Sequence, residues 1–249
     1  MPFSDYRTAL VTGASSGIGA AVVERLCREG IEVHALARNA EALATLVART
    51  GCTPHALDVT DTAGVAELVA ARDIDILVNN AGVDRPRKFL QAREDDIDLL
   101  IDVNLRAVLH LCRLVVPGMA KRDRGHVINI SSIAGHYNFG GNTTYHATKA
   151  AVAMLSRQLR IDTSGRRVRV TEICPGRVAT DIFTHVHGDT PDVYDTYIRG
   201  FELPVAVDIA DAIAFAIAAP IAVNVGLIEI MPTLQVPGGL STVRPGEIG

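Results

Sequence analysis

Short apolar, β-branched runs alternate along this chain with segments whose apolar residues recur at helical spacing. Thr8–Thr12 reads as a buried strand, followed by a Gly-rich turn. A helix then carries Ile18, Val22, Val23 and Leu26 on one face and stops at Gly30. Ile31–Ala37 is the second strand, and Asn39 is placed to cap a helix reaching about Thr50. Thr53–Asp58 and Ile74–Asn79 are strands three and four, with a helix from about Thr62 between them. One long helix is expected from about Glu94 to Met119, then a strand at His126–Ser131. Asn142–Thr163 is helical, and Val168–Cys174 is a strand that Pro175-Gly176 breaks. Val207–Ala219 is a helix and Leu227–Met231 the last strand.

Continuously apolar strands need cover on both faces, so this alternation predicts a parallel sheet between helical layers. Right-handed crossovers make it a doubly wound, Rossmann-like α/β sheet of about seven strands. The 249 residues form one expected domain, with a cofactor-binding part over about 1–130 and a catalytic and substrate part over about 131–249. A net charge of −4 and 4% aromatics argue against nucleic acid or an anionic membrane as a partner. No apolar run approaches a membrane span, and the first residues do not read as a secretory signal. Cys27, Cys52, Cys112 and Cys174 are scattered, with no zinc-type spacing, so no metal is expected and a reducing, cytoplasmic location is.

The first turn reads Thr12-Gly13-Ala14-Ser15-Ser16-Gly17-Ile18-Gly19. Glycines there let the backbone approach a pyrophosphate, and the following helix supplies unpaired N–H groups and a positive dipole end. The end of strand two reaches the adenosine ribose in such folds. This chain has Arg38 there and no carboxylate, which suits a 2′-phosphate and favours NADP over NAD. NAD stays possible, since Ser16 adds no second positive charge.

Tyr145 and Lys149 are four apart, on one face of a helix. An ammonium beside a phenol favours the phenolate, and a poised phenol can exchange a proton with an alcohol or carbonyl. Ser132 ends strand five, and Gly135, Gly140 and Gly141 allow the loop to return its hydroxyl toward Tyr145. Asn79-Asn80-Ala81-Gly82 ends strand four, and Asn104 lies in the long helix.

Together these motifs resemble the short-chain dehydrogenase/reductase family over essentially the whole chain. The matching elements are the glycine turn, Asp58-Val59, Asn79–Gly82, Asn104, Ser132, Tyr145 with Lys149, and Pro175-Gly176 with Thr180. The resemblance implies that Tyr145 is the acid/base, with Lys149 lowering its pKa and binding the nicotinamide ribose. Ser132 orients the substrate oxygen, and Asn104 holds a relay water. Gly13, Ser15, Ser16, Gly17, Ile18 and Gly19 surround the pyrophosphate; Asp58 and Val59 face the adenine. Asn80, Ala81 and Gly82 line the ribose side, and Pro175, Gly176, Val178 and Thr180 face the nicotinamide. A homotetramer or homodimer is implied as well, built through the helices near 94–119 and around Tyr145.

The substrate is less legible. The tail Leu227–Gly239, the Gly140-Gly141-Asn142 triplet and the 169–173 run are similar to the NADP-dependent 3-hydroxy acid and serine dehydrogenase branch. A small anionic substrate needs a cation, and Arg177, Arg85, Arg87 and Lys88 are candidates. His136, Tyr137, His185 and His187 are possible polar contacts. Phe183, Tyr194 and Tyr197 can cover the cofactor as a lid, with Gly188 and Gly200 allowing movement. Two other readings stay open: an enzyme for a neutral ketone, polyol or cyclic alcohol, and a non-catalytic dinucleotide sensor.

Overall fold

The computed structural model describes residues 3–180, 198–235 and 242. Its seven strands are β1(Thr8–Thr12), β2(Glu32–Ala37), β3(Thr53–Ala56), β4(Ile76–Asn79), β5(Gly125–Ile130), β6(Val168–Pro175) and β7(Leu227–Ile230). All pair in parallel, in the order β3-β2-β1-β4-β5-β6-β7. The helices are α1(Gly17–Arg28), α2(Ala40–Thr50), α3(Thr62–Ala70), α4(Glu94–Ile101), α5(Ala107–Lys121), α6(Thr143–Asp162) and α7(Ala206–Ala218).

Strand side chains alternate between faces, so each central strand serves two cores. Val11, Val33, Ile76, Val78 and Ile128 pack with α1 and with Ile209, Ile213 and Ile217 of α7. Leu10, Leu36, Leu77, Val127 and Val170 pack with α3, α5 and α6 on the other face. Buried Arg169 closes one end of the first layer. Its guanidinium donates to the carbonyls of Ala216, Ile217, Ala219 and Val223 and to the Tyr6 hydroxyl. A cation on the last carbonyls of α7 complements the negative end of its dipole.

The sequence expectations need four adjustments. The helix expected over Glu94–Met119 is interrupted by a π turn at Asp102–Arg106 and runs on to Lys121. That turn holds Asn104, whose side chain is tied to another segment; single π turns are frequent at functional sites. Strand three stops at Ala56, because Asp58 folds back to accept hydrogen bonds from Thr60. Strand four starts at Ile76, two residues late. The Asp75 carboxylate instead accepts from the Arg7 backbone and the Arg124 guanidinium. Strand six includes Pro175, which needs no donor at a strand's last position. Asn39 caps α2 as expected, accepting from the Ala42 N–H at 3.0 Å.

Candidate active site

The strand order reverses direction between β1 and β4, and the crevice beyond their carboxyl ends is where such sheets bind ligands. The two ends are stitched together. The Thr12 hydroxyl accepts from the Asn80 and Ala81 N–H groups, each at 3.0 Å. The Asn80 side-chain amide donates to the Thr12 and Gly13 carbonyls, at 2.9 and 3.2 Å. Asn80 therefore shapes the glycine turn with its side chain.

The turn leaves no room for a side chain at Gly13 or Gly19. A Cβ on Gly19 would lie 2.2 Å from the Gly13 carbonyl oxygen, and one on Gly13 would lie 2.8 Å from the Ala81 Cα. Gly13 and Gly17 also have φ of 64° and 51°, in the left-handed region that glycine adopts without strain. Ser16 precedes α1 and makes no side-chain cap bond, so the first-turn N–H groups have no side-chain acceptor from it. Ser15 flanks this opening, and Thr180 packs against Gly17 from the other side. Ile18 turns into the core. An uncapped helix start in a glycine cradle fits a pyrophosphate.

Arg38 follows β2 with an exposed guanidinium, 3.8 Å from the Asp58 carboxylate. Burial acts to raise the Asp58 pKa, but two hydrogen bonds from Thr60 and the Arg38 charge outweigh it and hold the carboxyl below its ordinary value. Val59 beside it is buried. Asp58 thus orients Arg38 at an exposed distance, where the pair contributes little stability and leaves the guanidinium accessible.

The catalytic candidates converge. Ser132 precedes a tight turn at Ile133–Gly135, and its hydroxyl accepts from the Ala134 N–H at 3.1 Å. Gly135 presses that turn onto α6, since a Cβ there would lie 2.8 Å from the Lys149 carbonyl oxygen. From this turn the Ser132 hydroxyl acts on the Tyr145 phenol, favouring its ionised form. Lys149 Nζ donates to the Ile130 carbonyl at 2.9 Å and lies 5.6 Å from the Tyr145 ring centroid. Asn79, Asn129 and Ser156 form a buried hydrogen-bonded ladder that links β4, β5 and α6 behind this group.

Burial dominates the titration of both groups. It pushes the Tyr145 phenol well above its usual range, and the Asp84 carboxylate adds to that, against the Ser132 hydrogen bond. Burial pulls the Lys149 ammonium down to about 8, with Asp84 and Cys174 opposing.

Asn104 is tied to the segment after β4. Its side-chain oxygen accepts from the Val83 N–H and its amide donates to the Val83 carbonyl, both at 2.8 Å. The side chain fastens the segment after β4. Its oxygen still borders Gly82, as does Lys149 Nζ.

The substrate candidates divide. Arg87 Nε is 3.1 Å from Asp96 and Arg85 Nε is 3.7 Å from it, so both are tethered to α4. Arg177 lies 5.3 Å over the Phe201 ring, and its N–H donates to the Gln235 side chain. Pro175, Gly176 and buried Val178 form the strand end and turn beside it, and Gly176 N–H donates to the Ile230 carbonyl at 2.7 Å. His136 Nε2 is 2.6 Å from the buried Glu172 carboxylate. His185, His187, Phe183, Gly188, Tyr194 and Tyr197 lie outside the described residues.

Asp84, which sequence reasoning left out, and Asn142 shape this wall. Asp84 accepts from the Asn142 side-chain amide and from the Arg85 N–H. Asn142 has φ of 93°, a strained value for a residue with a side chain. It is held there by its N–H bond to the Arg87 carbonyl and by the bond to Asp84. A strained Asn immediately before α6 fixes how that helix, and Tyr145 on it, meets the rim. The triplet Gly140-Gly141-Asn142 was a visible turn signal; the Asp84 contact was not.

Residues 7–190 match the model of the short chain dehydrogenase family. An NADP-dependent 3-hydroxy acid dehydrogenase, YdfG, of Salmonella typhi is 38% identical over 245 residues, covering 94% of this chain and 98% of that one. A serine 3-dehydrogenase of Agrobacterium fabrum is 35% identical, with coverage of 95% and 98%. A solved serine dehydrogenase complexed with NADP+ superposes with a TM-score of 0.88 at 36% identity, covering 95% of this chain and 99% of that one. Motif order, sheet topology and these likenesses agree: the chain belongs to the short-chain dehydrogenase family.

Proposed function

We infer that this chain is an NADP(H)-dependent oxidoreductase interconverting a small 3-hydroxy acid, or a related anionic alcohol, and its carbonyl. The observation that carries the reading is the Lys149 ammonium 5.6 Å from the centroid of the Tyr145 ring, on the helix against which Gly135 presses the Ser132 turn. The likeness to two dehydrogenases named for 3-hydroxy acids and serine supports the substrate class.

The glycine cradle and uncapped start of α1 would hold the pyrophosphate, and Arg38 the 2′-phosphate. When bound, the nicotinamide supplies hydride exchange at the carbinol carbon. Tyr145 moves the proton at the substrate oxygen, and Ser132 donates a hydrogen bond to that same oxygen as charge develops on it. Lys149 offsets the negative charge that burial opposes on the phenol. Asn104 pins Val83, and Asn142 pins the Asp84 segment, so the rim stays in register with Tyr145. Arg177 is the cation assigned to a carboxylate, because it directly follows the Pro175-Gly176 strand end on the side given to the nicotinamide.

The tethering of Arg85 and Arg87 to Asp96 also favours a second reading, a neutral alcohol or ketone as substrate. A panel of serine, 3-hydroxypropionate and neutral alcohols, each with NADP and NAD, separates the two. The first reading expects acids turned over preferentially, with Arg177→Ala removing that preference. Arg38→Ala should raise the KM for NADP about tenfold and leave NAD unchanged, the loss of one charge-assisted contact. Equal effects on both cofactors contradict the role given to Arg38. A homo-oligomer is part of the proposal, supported by exposed Leu109, Met154, Ile161 and Phe215 on α5, α6 and α7.

A further inference from the structure

Beside the catalytic group, three potential metal ligands from separate stretches of sequence converge. Glu172 and Cys174 alternate on β6, so their side chains leave the same face. His136 arrives from the loop after the Ser132 turn. The His136 ring nitrogen, the Glu172 carboxylate oxygen and the Cys174 sulfur all lie within 4.8 Å of one another. Glu172 and Cys174 are 1% and 0% exposed, and the His136 side chain keeps a small opening at 17%. Glu229 sits directly across from Cys174 on β7, where it accepts from the Tyr137 hydroxyl. The group thus brings together a thiol, an imidazole and two carboxylates, with no lysine or arginine among them.

We propose that His136, Glu172 and Cys174 form a binding site for a borderline-soft divalent cation of the zinc class, next to the substrate pocket. One nitrogen, one oxygen and one sulfur ligand suit such an ion, and three protein ligands leave a fourth tetrahedral position for water. The hydrogen-bonded separation of 2.6 Å between His136 and Glu172 must open to about 3.3 Å, as bonds of about 2.1 Å at tetrahedral angles require. A rotation of the His136 ring accomplishes this. On binding, the proton shared by His136 Nε2 and Glu172 shifts to His136 Nδ1, freeing both ligand atoms; the Cys174 S–H bond breaks, an S–metal bond forms, and the thiol proton leaves to water; no electron moves. Occupancy clamps the Ser132 turn to β6. It also neutralises the Glu172 carboxylate, since the divalent ion is balanced by one thiolate and one carboxylate. The sequence offered no hint of this, since no two of the three residues follow a metal-ligand spacing.

The test is Co2+ titration of the full chain after dialysis against chelator, read by absorbance, with a zinc chase. A thiolate-to-cobalt band in the near ultraviolet should saturate at one ion per chain and vanish when Zn2+ is added. Cys174→Ser should abolish that band. His136→Ala should weaken Co2+ binding by about 100-fold, the upper end of what even indirect ligand supports cost. Thermal melts by circular dichroism confirm that each variant folds. If Cys174→Ser does not fold, His136→Ala decides, since its ring is partly exposed. Absence of the band at excess Co2+ overturns the proposal. So does a band that persists in Cys174→Ser, or affinity that His136→Ala leaves unchanged.

Discussion

Replacing Lys149 with Met should make the protein more stable and much less active. Burial lowers the Lys149 pKa from 10.5 to about 8, so its charge is disfavoured in the folded state by about 3 kcal/mol at 1.36 kcal/mol per unit. Because the folded pKa lies below the unfolded one, the unfolded chain binds more protons between pH 8 and 10.5. Wild-type stability therefore rises across that window, and the charge opposes folding in full below it. Methionine has similar length and no charge. It removes that cost but loses the bond to the Ile130 carbonyl, worth about 1 kcal/mol. The net gain is about 2 kcal/mol, a rise in Tm of about 4–8 °C at neutral pH for a chain of this size. Catalysis moves oppositely. At 5.6 Å and an effective dielectric of about 20, the ammonium stabilises a phenolate by about 3 kcal/mol. Its loss should lower kcat/KM by about 100-fold and shift the pKa governing the pH–rate profile upward. Calorimetry without cofactor and steady-state kinetics read the two halves. A Lys149→Met protein that melts lower than wild type, or keeps activity within tenfold, refutes the reasoning.

Three further outcomes follow from the packing. Gly19→Ala places a methyl 2.2 Å from a backbone oxygen that cannot move freely, so it should cost about 2 kcal/mol and weaken NADP(H) binding together, measured by denaturant melts and fluorescence titration. Arg169→Met leaves several α7 carbonyls without their donor and should destabilise by about 3 kcal/mol in urea, while activity per folded molecule holds. Asn142→Ala should lower kcat more than it raises KM for the alcohol, because it frees the strained entry to α6 while the binding groups remain.

The sheet was readable because its central strands are apolar on both faces, and the alternation of Leu10 with Val11 distributes them between two cores. Helix and strand ends were less readable where side chains intervene. Asp58 ends β3 by bonding Thr60, and Asn104 marks the π turn by bonding Val83, and neither partner is visible in a hydrophobic pattern. Ser132, Tyr145 and Lys149 were legible because spacing and loop glycines alone bring them together. Arg85 and Arg87 carry the charge that was expected, but Asp96 on α4 already receives it. Asp84, Asn142 and the Glu172 cluster depend on contacts between distant segments, which one sequence does not display.

The central claim is that the Tyr145 hydroxyl carries the proton. Single-turnover hydride transfer by Tyr145→Phe, followed at the reduced-nicotinamide absorbance with a 3-hydroxy acid that wild type oxidises, tests it most directly. Phenylalanine keeps the ring that faces Lys149 and removes only the hydroxyl. The account predicts intact NADP binding with hydride transfer slowed by about 100-fold or more, the scale of a positioned acid–base group. Transfer at the wild-type rate contradicts it.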